Sequence, residues 1–273
     1  MSRMDQSFLT EYNSDAAVQK YSANTAGLGI NYLLEFEYGP IYLDALKNKL
    51  KAPIGDGLRM LEFGCGVGMN LLHCLATLKR ERIPVEAAYG TDFSDRLIEE
   101  ARLAALSLDP IIRSRVNFAV ARNEELVSRL AADFGVAERQ VDNTFHFIIG
   151  VNTFRYCHRI GKTAQCAGDI YRLLKPGGVC VMIDMNNKFP AFRSRFNERR
   201  TKPKDERYIP TLQEYAAPFA SAGLEILDRR NFCWIPHSAS ASLLSIGRAV
   251  TPVLNAVIPS FAMRSLVVSR KPL

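Results

Sequence analysis

The sequence predicts an α/β protein built on a doubly wound, mostly parallel sheet with helices on both faces, and three observations carry that prediction. Apolar runs alternate with amphipathic stretches from about residue 57 to residue 185. A turn with alternating glycines, Gly64-Cys65-Gly66-Val67-Gly68, joins the first apolar run to the first amphipathic stretch. Lys175-Pro176-Gly177-Gly178 stops the last of those stretches and launches another apolar run. Such alternation means parallel strands joined by right-handed crossovers. At 273 residues the chain can bury a full core, enough for one large domain with a cover.

The N-terminal part reads as helical. Residues 1–13 carry no periodic pattern and are expected to be poorly ordered. Ser14-Asp15 can cap a helix to about Ala23, and Ile30, Leu33 and Leu34 mark a second helix from about Leu28 to Phe36. Gly39-Pro40 is expected to interrupt it, because the residue before proline is pushed out of helical space. Leu43, Leu46 and Leu50 then continue a helix to about Lys51. Tyr12, Tyr21, Tyr32, Phe36, Tyr38 and Tyr42 crowd this region. Core packing accounts for most such rings, and an aromatic cover over a site is the alternative, with Tyr21 the best placed to touch a ligand.

Leu58 to Phe63 is an apolar strand, and Leu71, Leu72, Leu75 and Leu78 keep helical spacing after the glycine turn. Glycine suits a turn whose backbone adopts conformations that a side chain resists, or that a ligand approaches closely. A dinucleotide turn requires G-x-G-x-x-G, whereas Met69 stands where its third glycine belongs, and Glu62 precedes the turn. A carboxylate is a poor neighbour for a pyrophosphate. Val85 to Thr91 is a second strand ending in Asp92-Phe93-Ser94. Ser94 suits the cap of a helix carrying Leu97, Ile98, Ala101, Ala104, Ala105 and Leu108, which leaves Asp92 at a carboxyl edge where an acid can take both hydroxyls of a ribose.

Val116 to Ala121, Thr144 to Gly150 and Val179 to Asp184 complete five strands, with helices at about 126–130 and 162–174 between them. The rhythm then changes. Thr211 to Ala222 is a helix, Leu224 to Phe232 a strand and Arg264 to Ser269 a last strand. Leu243 to Phe261 is apolar but broken by Arg248, Pro252 and Pro259, so it is expected to form a helical flap. The expected division is a cover at 1–56 and a main domain at 57–273, with the flap at about 186–262.

Composition narrows the function. No apolar run reaches the ~20 residues of a membrane span, and the polar start (Ser2, Arg3, Asp5, Gln6) lacks a signal-peptide core, so a cytoplasmic location is expected. Cys65, Cys74, Cys157, Cys166, Cys180 and Cys233 show no C-x-x-C spacing, and the four histidines no H-x-x-x-H pair, which suggests neither disulfides nor a metal. The net charge of +7 is concentrated in part between Lys188 and Arg207, where eight basic residues face Glu198, Asp205 and Glu206. That segment reads either as a solvated loop or as a surface for an anionic substrate or a polynucleotide.

Three elements in this order, Glu62 to Gly68, Tyr89 to Ser94 with the Leu97-x-x-x-Ala101-Arg102 helix, and Leu173 to Gly178, resemble the core of the class I S-adenosylmethionine-dependent methyltransferases. The resemblance covers roughly residues 57–185. It implies a seven-stranded Rossmann-like sheet with an antiparallel last strand, S-adenosyl-L-methionine as cofactor and S-adenosyl-L-homocysteine as product. Carried over by position, Glu62, Phe63, Gly64, Cys65, Gly66 and Gly68, with Asn70 behind them, would hold the methionine part. Asp92 would take the ribose, Phe93 the adenine face, and Val151 would lie beside the sulfonium. Members often place Asp at the end of the third strand for the adenine amine. Here Arg122 and Asn123 occupy that corner, and of the two only Asn123 has an acceptor oxygen.

Methyl transfer relies on positioning and desolvation, and a base helps when the acceptor is a hydroxyl. His158 and His237 are the candidate bases by location, while His73 and His146 fall inside a helix and a strand and read as packing. Three functions remain open: methylation of a small or medium-sized metabolite, methylation of RNA or protein through the basic segment, and binding of the cofactor without turnover. Val151-Asn152-Thr153-Phe154 stands where base-amine methyltransferases carry Asn/Asp-Pro-Pro-Tyr/Phe.

Overall fold

The computed structural model describes Ser14, Val18, Gln19, residues 28–190 and residues 208–273. The expectations for residues 1–13, for the first helix, for Tyr12 and Tyr21 and for most of the basic segment lie outside these residues. Seven strands form one sheet: β1 (Leu58–Phe63), β2 (Val85–Asp92), β3 (Val116–Val120), β4 (Phe145–Val151), β5 (Leu174–Met185), β6 (Glu225–Phe232) and β7 (Arg264–Arg270). Their order is β3-β2-β1-β4-β5-β7-β6. β1 to β5 pair in parallel, and β7 runs antiparallel between β5 and β6. The chain winds outward from β1 through β2 to β3 and then returns to β4. The carboxyl ends of β1 and β4 therefore flank the crevice where ligands bind in such sheets.

The helices are α1 (Leu28–Tyr32), α2 (Gly39–Asp44), α3 (Met69–Arg80), α4 (Asp95–Ala105), α5 (Pro110–Arg113), α6 (Leu126–Phe134), α7 (Phe154–Arg159), α8 (Thr163–Leu173), α9 (Leu212–Ser221) and α10 (Ala241–Val257). Alternate strand residues feed two cores, as the period of two requires. Leu58, Met60, Phe147, Ile149, Val181, Ile183 and Leu266 pack with α3, α4 and the N-terminal helices. Leu61, Phe63, Ile148, Cys180, Met182 and Val267 pack with α6, α8 and α9 on the other face. The six cysteines are free and buried within this packing.

Two local expectations are corrected. Gly39-Pro40 does not break the helix: a π-helical turn, Leu33–Tyr38, joins α1 to α2, and a second, Ala45–Lys49, extends the run to cover residues 28–49. Gly39 stays helical (φ −52°, ψ −49°) because it has no Cβ to meet the proline ring, and a Cβ there would lie 2.9 Å from the Leu34 carbonyl oxygen. Lys175-Pro176-Gly177-Gly178 belongs to β5. Pairing with β4 jumps from Phe145↔Leu174 to Phe147↔Val179, so the stretch bulges out of register and brings Gly177 (φ +76°) against Ala52.

The N-terminal run and the flap meet over the sheet's carboxyl edge. A Cβ at Gly29 would lie 2.5 Å from the His237 carbonyl oxygen and 2.6 Å from that of Pro236, so only glycine lets the two backbones approach. Arg248 of α10 stacks over the Tyr32 and Phe36 rings at 5.8 and 5.7 Å from their centroids.

Candidate active site

The turn after β1 is held in left-handed conformations at Gly64 (φ +61°), Gly66 (φ +55°) and Gly68 (φ +77°), and each glycine has a different neighbour. A Cβ at Gly64 would sit 1.9 Å from Thr153 Oγ1, so the turn interlocks with the chain leaving β4. A Cβ at Gly68 would press on Phe118 and Ala101, which is helix-to-sheet packing. At Gly66 it would meet no protein atom within 4 Å. Gly66 therefore borders open space, a cavity of about 930 Å³ along the carboxyl rim.

Gly64, Cys65, Gly66, Asn70, Asp92, Phe93, Asn123, Val151 and His237 all line this cavity. Asp92 is only 5% exposed. Its Oδ2 accepts the Gly66 N–H at 2.9 Å and its Oδ1 the Ser94 N–H at 3.0 Å, which fixes the carboxylate against the glycine turn. Burial pushes this carboxyl up to about 6, while amides of Ser94, Gly66 and Phe93 pull it down. Ser94 also caps α4 by accepting the Leu97 N–H. Asn123 donates through Nδ2 to Thr153 Oγ1 at 2.7 Å, which leaves its oxygen as the acceptor at that corner. Asn70 Oδ1 is buried without a hydrogen bond.

Four expected site residues fall elsewhere. Glu62 is fully buried beneath the turn, and its Oε2 accepts the Leu71 N–H of α3 at 2.9 Å. It anchors the helix start from below, a favourable place for a carboxylate, and burial pushes it up to about 8. Phe63 points into the core on the α6 and α8 face, and Gly68 packs as described. His158 is turned away from the cavity: its ring packs against Phe154, Tyr208 and Tyr215, and burial lowers its pKa. Tyr21 lies outside the described residues. His146 is structural as expected, accepting the Arg59 N–H at Nδ1.

Sequence reasoning missed the far end of the cavity, lined by Tyr38, Asn152, Arg155, Met185, Trp234, Met263 and Arg264. Arg155, just after β4, pairs with the fully buried Asp184 of β5: Nη1 reaches Oδ1 at 2.8 Å and the backbone N–H reaches Oδ2 at 3.2 Å. Arg264 begins β7 opposite Met185 and donates from Nη1 to Asn152 Oδ1 at 2.7 Å. An arginine opening an antiparallel last strand necessarily falls on the rim where the parallel strands end. That was the available signal.

A seven-stranded sheet of this order with an antiparallel β7, and a glycine turn and acid meeting over its carboxyl rim, defines the class I methyltransferase fold. The profile described as a methyltransferase domain matches residues 54–220, and the chain belongs to that family. Comparison with curated proteins finds no match. Among solved structures the chain is similar to Haemonchus contortus phosphoethanolamine N-methyltransferase 2 in complex with S-adenosyl-L-methionine (17% identity, TM-score 0.61, covering 100% of this chain and 60% of that one). It is also similar to a protein in a Haloferax volcanii complex of a methyltransferase activator with a methyltransferase (16%, TM-score 0.58, 97% of each chain). A third is an S-adenosylmethionine-dependent methyltransferase from Mesorhizobium loti (16%, TM-score 0.55, 87% of this chain and all of that one).

The protein is an S-adenosylmethionine-dependent methyltransferase. The open space at Gly66, the unpartnered Asn70 oxygen and the adjacent Asp92 carboxylate suit a ligand with an amino-acid end and a sugar. Among the described residues no cluster of His, Cys, Asp and Glu could hold a metal ion, and no helix is long and apolar enough to cross a membrane.

Proposed function

We propose that the methyl acceptor is a small or medium-sized metabolite enclosed between the sheet rim, the N-terminal helices and the flap. The single observation behind this reading is the cavity. At about 930 Å³ it lies at the upper end of the roughly 300–1,000 Å³ of small-molecule sites. It also runs past the cofactor residues to Trp234, Pro236, His237, Leu243 and Met263. S-adenosylmethionine supplies an electrophilic methyl group for in-line displacement by a nucleophile. The chain's part is then to hold Asp92 and Gly66 fixed, to exclude water with Tyr38, Trp234 and Met263, and to align the acceptor. For a hydroxyl acceptor, His237 is the histidine on the cavity wall that takes the proton.

Incubation with methyl-labelled cofactor and fractionated cell extract, followed by identification of the labelled product, tests this. The expected product is a small molecule, formed equally well after charge reversal at Arg199 and Arg200. Label in RNA or protein, lost on that charge reversal, would replace this reading with the polymer one.

A further inference from the structure

The cavity has two chemically distinct ends. Its cofactor end is bounded by Asp92 at the tip of β2 and by the glycine turn after β1. At the other end, beyond β4 and β5, stands Arg264, the first residue of β7. Arg264 is 6% exposed and lines the cavity. Of its five donors, Nη1 meets the neutral oxygen of Asn152, and Nε is buried with no partner. No carboxylate among the described residues lies within ion-pair distance of it. Asp184, a buried acid on the adjoining strand, is paired with Arg155 at 2.8 Å. A buried guanidinium without a counter-charge is strongly unfavourable, and it is retained where an anion arrives to complete it.

The surroundings repeat the point. Asn152, which holds Nη1, sits at φ +56°, a left-handed conformation that asparagine tolerates better than most residues. With Nη1 held by Asn152 and Nε closed off inside the protein, Nη2 is the donor left to meet an oxygen of an anion in the cavity. The nearby lining is Tyr38, Trp234 and Met263, apolar or aromatic surface for the body of such a molecule.

We propose that the acceptor substrate carries a carboxylate, and that Arg264, positioned by Asn152, binds it at the β7 end of the cavity. This rests on the metabolite reading above and names its substrate class. A carboxylate is favoured over a phosphate because one guanidinium balances a single negative charge and a dianion would remain half compensated.

The chain's sole tryptophan, Trp234, lines the same end and reports binding by its fluorescence. Protein saturated with S-adenosylhomocysteine would be titrated with phenylacetate, phenylacetamide and phenyl phosphate. The expected result is phenylacetate binding about tenfold or more tighter than phenylacetamide, the scale of one charge-assisted contact. Arg264→Gln removes that preference by removing the charge. Asn152→Asp removes it too, by supplying an internal counter-charge in a side chain that tolerates the same backbone. Calorimetry with S-adenosylhomocysteine on each variant verifies folding and the cofactor end independently. Equal binding of acid and amide by the wild type, a preference surviving in both variants, or stronger binding of phenyl phosphate would overturn the proposal. A wild type that does not bind S-adenosylhomocysteine would instead overturn the reading on which it rests.

Discussion

At the scale of single residues, the glycine turn separates structural need from ligand need. Gly64→Ala forces a Cβ onto Thr153 at a left-handed position, so an unfolding midpoint should reveal a loss of about 2–4 kcal/mol. Gly66→Ala meets no protein atom and should lose only about 1–2 kcal/mol from its backbone conformation. S-adenosylhomocysteine binding by calorimetry should nonetheless fall sharply in this variant, because the new methyl group would enter the space we assign to the cofactor. Asp92 adds a pH dependence. Its carboxyl, near 3.8 when free, is raised to about 6 in the fold, so the folded state binds the proton more tightly. Its contribution to stability is therefore fully present at low pH and declines as pH rises from about 4 to 6; urea midpoints for Asp92→Asn should lack that part of the decline. The ionised carboxylate is the better acceptor for ribose hydroxyls. Cofactor affinity should rise with pH up to about 6 and then level off.

At the scale of elements, strand and helix positions were legible because periodicity and capping act locally: β1 and β2, the Ser94 cap and the start of α9 stand where the sequence places them. Gly39-Pro40 and Lys175-Pro176-Gly177-Gly178 misled because wider π-helical turns and a bulge absorbed residues that usually end an element. Glu62 and His158 misled differently. Spacing puts a residue at the correct end of a strand, but whether its side chain faces the rim or the core is decided by tertiary packing. The contact of α1 with the flap was likewise invisible, since it depends on the missing side chain of Gly29. Gly29→Val should pry the two apart, and hydrogen exchange in α10 should accelerate by an order of magnitude or more while β4 and β5 stay protected.

At the scale of the whole molecule, one rim joins residues far apart in the chain: Gly66 and Asp92 from the first windings of the sheet, Asn152 from its middle, Arg264 from its last strand. The residues proposed for the cofactor lie in compact motifs, which the sequence displays directly. The opposite wall of the cavity is assembled by β7 returning antiparallel beside β5, which no local motif announces. The buried pair of Arg155 and Asp184 fastens the start of α7 to β5 on that wall. Asp184→Asn, which removes the charge from a fully buried acid that accepts from the Arg155 side chain and backbone, should lower stability by about 1–3 kcal/mol in chemical denaturation. The central claim, that a nucleoside cofactor lies between the glycine turn and the acid closing β2, is tested most directly by titrating S-adenosylhomocysteine calorimetrically into wild type and Asp92→Ala. One molecule should bind per chain, with affinity about 10–100-fold weaker in the variant for the loss of charge-assisted hydrogen bonds. Equal affinity in the two proteins would contradict it.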